Sequence, residues 1–202
     1  MTAIRRTQQE RREQAEAALL NAAAELVVEE GVHSLTLARV GQQAAYSRGL
    51  ITHYFGSKQA LLERLARATQ SGFVSGLDGM PPGLDRLLRL IDGYIGALSP
   101  MRMMNRAFLL LWAEAATAPD LARIFQERDE AFRADLSEDI EAGIADGTIR
   151  PDVAANEVAV AVLGQLRGIA LQRLVDSPAV DTERLRQSVT DCWRRALACP
   201  QT

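Results

Sequence analysis

Apolar residues recur at helical spacing along almost the whole chain, and Gly and Pro mark where one run stops and the next begins. Ala15, Ala18, Leu19, Ala22, Ala23, Leu26 and Val27 form one stripe, which predicts a helix over residues 9–30 closed by Gly31. Residues 36–55 hold two shorter runs: Leu37, Val40, Gly41 and Ala44, then Leu50, Ile51 and Phe55. Helices this short cannot stand alone and must pack on neighbours. Thr36 is placed to cap the first of them, and Ser57 to cap a fourth helix. That fourth helix is predicted from Lys58 to about Gly76, with Leu61, Leu62, Leu65 and Phe73 turned inward. The Gly- and Pro-rich stretch 76–83, GLDGMPPG, is the clearest break and puts a domain boundary near residue 76.

Past the break, Leu84, Leu87, Leu88, Ile91, Tyr94, Ile95 and Leu98 predict an amphipathic helix ending at Ser99–Pro100. A helix over 101–116 follows, then a long one from Pro119 that Gly147 and Pro151 close. Residues 153–176 are apolar nearly all round, so that helix must be covered on most sides, by the rest of the chain or by a second copy. Leu185, Val189, Trp193 and Leu197 form the last stripe. No stretch keeps a strand alternation, so the expected fold is all-α with about nine helices.

The second short helix carries a polar face. Ser47, Arg48, Thr52, His53 and Tyr54 offer hydroxyls, a guanidinium, an imidazole and a phenol, all able to bond phosphate or base edges. A helix-turn-helix carries such a face into the major groove. The patterns T-x-x-x-V-G-x-x-A, S-R-G-L-I-T-H-Y-F and G-S-K-Q-A-L-L, within about residues 10–70, resemble the DNA-binding domain of the TetR family of repressors. The I-T-H-Y-F wording is closest to the choline-responsive, BetI-like branch, and ADGTIRPDV with the apolar helix after it resembles the C-terminal part of its members.

The resemblance implies two domains. Residues 1–76 would bind DNA, with the helix-turn-helix over 36–55, and 77–202 would bind an effector and dimerise. It implies DNA contacts from Thr36, Ser47, Arg48, Gly49, Thr52, His53, Tyr54 and Lys58, and a homodimer built from the last two helices. Two positions depart from the family pattern. Ala45 stands where members usually carry Gly in a turn that often needs a positive φ, at a cost of about 1 kcal/mol. Tyr46 replaces a small aliphatic residue.

Charge changes the picture only locally. The net charge of −3 argues against a nucleic-acid binder, yet Arg5, Arg6, Arg11 and Arg12 make a basic start, and Arg39, Arg48 and Lys58 fall in or beside the helix-turn-helix. Phosphate contact depends on nearby charge; the alternative for the arginine run is a solvated face. Lys58 is the chain's only lysine, and phosphate contact is its expected role. No apolar run is expected to reach the roughly 18 residues of a membrane span, and the N-terminal arginines are not followed by the apolar core of a secretory signal, so the expected location is cytoplasmic with no membrane partner. Cys192 and Cys199 are seven apart, neither a metal nor a redox spacing.

An effector pocket is less legible. Tyr94, Met104, Phe108, Trp112 and Phe125 fit the wall of an apolar cavity, and each equally fits plain core. Trp112 and Glu114 would suit a quaternary ammonium ion, but residues two apart on a helix do not share a face. A mostly hydrophobic small molecule is therefore expected rather than choline. For the dimer, Gly164 and Gly168 would let two backbones approach, joined by Leu171, Val189 and Trp193, though internal packing explains the glycines as well. Chemistry is not expected. The two histidines, His33 and His53, belong to no Glu-x-x-His or H-E-x-x-H motif, G-x-S-x-G is absent, and the acidic run Glu138, Asp139, Glu141 reads as a solvated helix face. No catalytic residue, metal or cofactor is predicted. The remaining alternative, an all-helical interaction scaffold that binds no DNA, leaves Arg48, Thr52, His53, Tyr54 and Lys58 without a purpose.

Overall fold

The computed structural model describes residues 7–70, 74, 76–77 and 79–199, with Arg48 described by its backbone alone. Arg5, Arg6 and Phe73 lie outside the described residues. Among the described residues there are nine α-helices and no strand. They are α1 (Gln8–Glu30), α2 (Leu37–Gln43), α3 (Arg48–Phe55), α4 (Lys58–Ala68), α5 (Leu84–Gly96), α6 (Met103–Glu114), α7 (Pro119–Ala145), α8 (Ala155–Val175) and α9 (Thr182–Leu197). Two compact units result: residues 1–70 with 103–124, and residues 71–102 with 125–202.

In the first unit α1 is the central post, with α2, α4 and α6 all packed on it. Leu19, Ala23 and Val27 of α1 are fully covered, as are Val40, Ile51, Leu61 and Leu65 from the three helices that follow. Alanines along α1 let the neighbours come close. Thr7 and Glu10 close a capping box at its start, and Gly31, at φ 85°, ends it. The fourth helix stops at Ala68, not near Gly76. The buried Thr69 hydroxyl donates back to the Ala66 carbonyl at 2.9 Å, and the Gln70 N–H donates to Arg67 at 3.3 Å, so the backbone tightens into a turn. The apolar residues beyond had suggested continuation.

The second unit is built on α5 against α9, with α8 alongside. Leu87, Ile91 and Ile95 of α5 and Val162, Leu166 and Ala170 of α8 are fully buried. Asp92 clamps α9 through a two-pronged bond from Arg186, at 2.9 and 2.8 Å. The ADGTIRPDV turn is pinned to the end of α9, because the Arg150 N–H donates to Leu197 and the Cys199 N–H to Thr148.

Asp139 corrects the reading of a solvated acidic face. Glu138 and Glu141 are exposed, but Asp139 is completely buried. Its Oδ1 accepts from Arg86 at 2.8 Å and from the Gly83 N–H at 3.2 Å, supplying the start of α5 with the acceptor its Gly cap lacks. Loss of water pushes the Asp139 carboxyl up despite these bonds, while the same pair holds the Arg86 guanidinium up.

Contrary to the expectation from sequence, α8 is long and apolar enough to pass for a membrane span by length and hydropathy alone. One of its faces packs on α5 in the second unit. The other leaves Val160 57% and Val175 86% exposed, so the chain covers less of this helix than its composition led us to expect.

Candidate DNA-binding surface

The Thr36 hydroxyl accepts from the Arg39 N–H at 3.2 Å and starts α2. The turn that ends α2 has the two bonds of a Schellman motif: Tyr46 N–H to Gly41 at 2.8 Å and Ala45 N–H to Gln42 at 3.2 Å. Ala45 occupies its left-handed position at φ 57°, the positive φ that the missing Gly implied. Gly41 sits under this turn, where a Cβ would lie 3.2 Å from the Tyr46 carbonyl oxygen. Ser47 then caps α3 by accepting from the Leu50 N–H at 3.3 Å.

Ile51 and Phe55, one turn apart, anchor α3 in the core. Gly49, Thr52 and His53 fall on the other side and are exposed. Beside Gly49 there is open space, so a partner could approach the backbone there. Tyr54 is half-buried; its hydroxyl donates to the Arg12 carbonyl at 3.2 Å and its ring meets His53 edge-on. Ser57 caps α4 through the Ala60 N–H, and Lys58 is exposed in the first turn with Nζ donating to the His33 carbonyl at 3.2 Å. Arg39 pairs with Glu30; that bond holds the Glu30 carboxyl low and the Arg39 guanidinium high. Arg39 is thus committed to α1, while Thr36, Ser47, Gly49, Thr52, His53 and Lys58 all reach the surface of one unit.

The expected effector residues are divided. Met104, Phe108 and Trp112 stand four apart along α6 in the first unit, with Phe108 buried and the others half-buried. Tyr94 and Phe125 are buried in the second. Glu114 lies 3.6 Å from the exposed ring of His33. Of the expected dimer residues, Gly164 is exposed and Gly168 and Leu171 half-buried on α8, and neither glycine has an atom within reach of a Cβ. Val189 is covered within the chain, and the Trp193 indole N–H donates to Gln165 at 2.6 Å.

Arg167 escaped the sequence reading. It is buried on α8, donating to the Tyr94 hydroxyl at 2.8 Å and to Asp129 at 3.2 Å. Burial pushes the Tyr94 phenol up, against the pull of Arg167. An arginine inside an otherwise apolar helix was the available signal.

Residues 19–65 match the family of bacterial regulatory proteins named for tetR, and residues 83–198, more than half of the chain, match the C-terminal domain of BetI-type transcriptional repressors. The chain belongs to the TetR family. Among relatives of this BetI-type TetR protein, the HTH-type transcriptional regulator BetI 1 of Chromohalobacter salexigens is 25% identical over 185 residues, 89% of each chain. BetI of Escherichia coli is 30% identical over 124 residues, 58% of this chain and 64% of that one. The fold is shared with a Saccharomonospora viridis regulator solved in complex with choline, at a TM-score of 0.79 and 19% identity over 93% of this chain and 100% of that one. It is shared too with Bacillus subtilis FadR, solved with stearoyl-CoA, at a TM-score of 0.74 and 18% identity over 87% and 95%. This TetR-family protein is a DNA-binding transcriptional regulator with an N-terminal helix-turn-helix and a helical C-terminal domain. Its named relatives are transcriptional regulators.

Proposed function

We propose that the protein represses transcription as a twofold homodimer on a palindromic double-stranded operator and is released by a mostly hydrophobic small molecule. Residues 1–76 serve DNA binding and 77–202 serve effector binding and dimerisation, in the cytoplasm. The observation that carries this reading is the outward face of α3: Gly49, Thr52 and His53 are exposed while Ile51 and Phe55 fix the helix. Thr52 and His53 read bases; Thr36, Ser47 and Lys58 hold phosphates beside them. Arg48 completes the set, and Tyr54, whose hydroxyl is bonded to the Arg12 carbonyl, supports it from behind.

A dimer supplies the second half-site and covers the exposed strip of α8. A groove of about 560 Å³ between α8 and α9, lined by Gly168, Ile169, Leu185 and Val189 among others, supports that partner. Gly164 and Leu171 lie about one turn from Gly168 along α8, and Trp193 about one turn beyond Val189 along α9.

For the effector, Met104, Phe108 and Trp112 form a four-residue-spaced stripe on α6, which also packs on α1 and α4 of the DNA-binding unit. A ligand that favours one position of α6 acts on that unit directly, since only differential binding to two states shifts their balance. Tyr94 and Phe125 lie buried in the second unit and are no part of this stripe. Three covered carboxylates of the second unit already face guanidinium groups, Asp92 with Arg186, Asp129 with Arg167 and Asp139 with Arg86, which favours an uncharged effector over choline.

The test is fluorescence anisotropy with duplexes from the gene's upstream region. Thr52→Ala or His53→Ala should change which duplex is preferred. Equal losses on every duplex would show that neither residue reads bases.

A further inference from the structure

A groove of about 860 Å³ runs between the first turns of α1 and the recognition helix α3, with Arg11, Arg12, Glu13 and Glu16 on one wall and His53 and Tyr54 on the other. We propose that this groove is a second seat for duplex DNA, in which Arg11 and Arg12 grip the phosphate backbone beside the base pairs that α3 reads. The inference rests on the reading of α3 as the helix that enters the major groove.

The charges of α1 are the first argument. Its opening turns interleave Glu10, Glu13 and Glu16 with Arg11 and Arg12, which by composition is no basic site. Glu13 and Glu16 line the groove too, but of the two only Glu13 keeps its charge uncompensated among the described residues. Glu10 accepts the Thr7 N–H at 2.7 Å in the capping box, Glu13 accepts from Gln9 at 3.0 Å, and Glu16 pairs with Arg64 on α4. Arg11 and Arg12 are exposed, and among the described residues neither guanidinium has an ion pair or a hydrogen bond. Two planar forks with their N–H groups unspent fit phosphate oxygens, which accept two parallel bonds from each.

Continuity with α3 is the second argument. The Tyr54 hydroxyl donates to the Arg12 carbonyl at 3.2 Å, so the turn carrying both arginines is tied to the recognition helix itself. His53, exposed on α3, also lines the groove. A backbone held by Arg11 and Arg12 is therefore set in register with the bases below α3. Tyr54 is a positioning residue in this account.

The test uses the full chain, a labelled 40-base-pair duplex from its upstream region and a random duplex of equal length. In Arg11→Gln/Arg12→Gln, two phosphate contacts are lost, each worth about 0.9 in the slope of log affinity against log salt. The slope should flatten by about 1.8 on both duplexes. Between 50 and 200 mM salt the wild type should then lose roughly twelvefold more affinity than the variant. Tyr54→Phe should remove part of the slope in the wild type and nothing further in the double variant. A folded double variant with the wild-type slope would overturn the second seat and leave the α3 reading standing. Additive losses from Tyr54→Phe would overturn its positioning role. No wild-type binding to either duplex at low salt would remove both readings.

Discussion

Ala45→Gly should stabilise the protein. Ala45 holds the left-handed position of the Schellman turn at φ 57°. A Cβ in that conformation costs about 1–2 kcal/mol, because it crowds the following carbonyl oxygen. Both hydrogen bonds of the turn come from backbone groups, so Gly keeps them. The side chain is exposed, so no burial is lost. Against the gain stands the greater freedom of Gly in the unfolded chain, about 0.5–1 kcal/mol. The net stabilisation is about 0.5–1 kcal/mol, which at a slope near 2 kcal/mol/M moves a urea midpoint by about 0.25–0.5 M. Ala44→Gly is the control: at φ −83° there is no strain to relieve, so it should lose about as much as Ala45→Gly gains. A lower midpoint for Ala45→Gly than for the parent would refute the assignment of strain to this turn.

Further outcomes follow from other contacts. Arg86→Met leaves the buried Asp139 without its cation and should cost about 3 kcal/mol at pH 7. The Asp139 carboxyl is already raised, so its protonated form is favoured in the fold and stability falls as pH rises through its folded value. The Arg86→Met penalty should therefore shrink in urea melts taken toward pH 4, and a penalty independent of pH would contradict this. Lys58→Ala should weaken binding to all duplexes alike and flatten the salt slope by about 0.9, against the competing bond to the His33 carbonyl that the free protein makes; an unchanged slope takes Lys58 off the phosphate list. Val160→Glu, on the exposed strip of α8, should give a monomer in sedimentation velocity, and a persisting dimer would move the interface elsewhere.

Features set by neighbouring residues were legible in the sequence. Thr36 and Ser57 cap helices because their hydroxyls reach N–H groups three residues on, and Gly31 and Gly147 take the positive φ that ends a helix. The strained Ala45 was visible against the family pattern for the same reason. What stayed hidden depends on partners far along the chain. Asp139 looks like its solvated neighbours until Arg86, 53 residues away, folds against it. Arg167 meets Tyr94 across 73 residues, and Tyr54 meets the Arg12 carbonyl across 42. The end of α4 at Ala68 turns on one side-chain bond from Thr69, which an apolar pattern does not encode.

Selection of genomic fragments by the full chain, followed by footprinting of the bound duplex, tests the regulator account most directly. Two protected half-sites related by a dyad, with centres about 10 base pairs or a multiple of that apart, are the predicted result. Protection of a single unpaired site, or no fragment enriched over random DNA, would contradict a symmetric pair of α3 helices reading one operator.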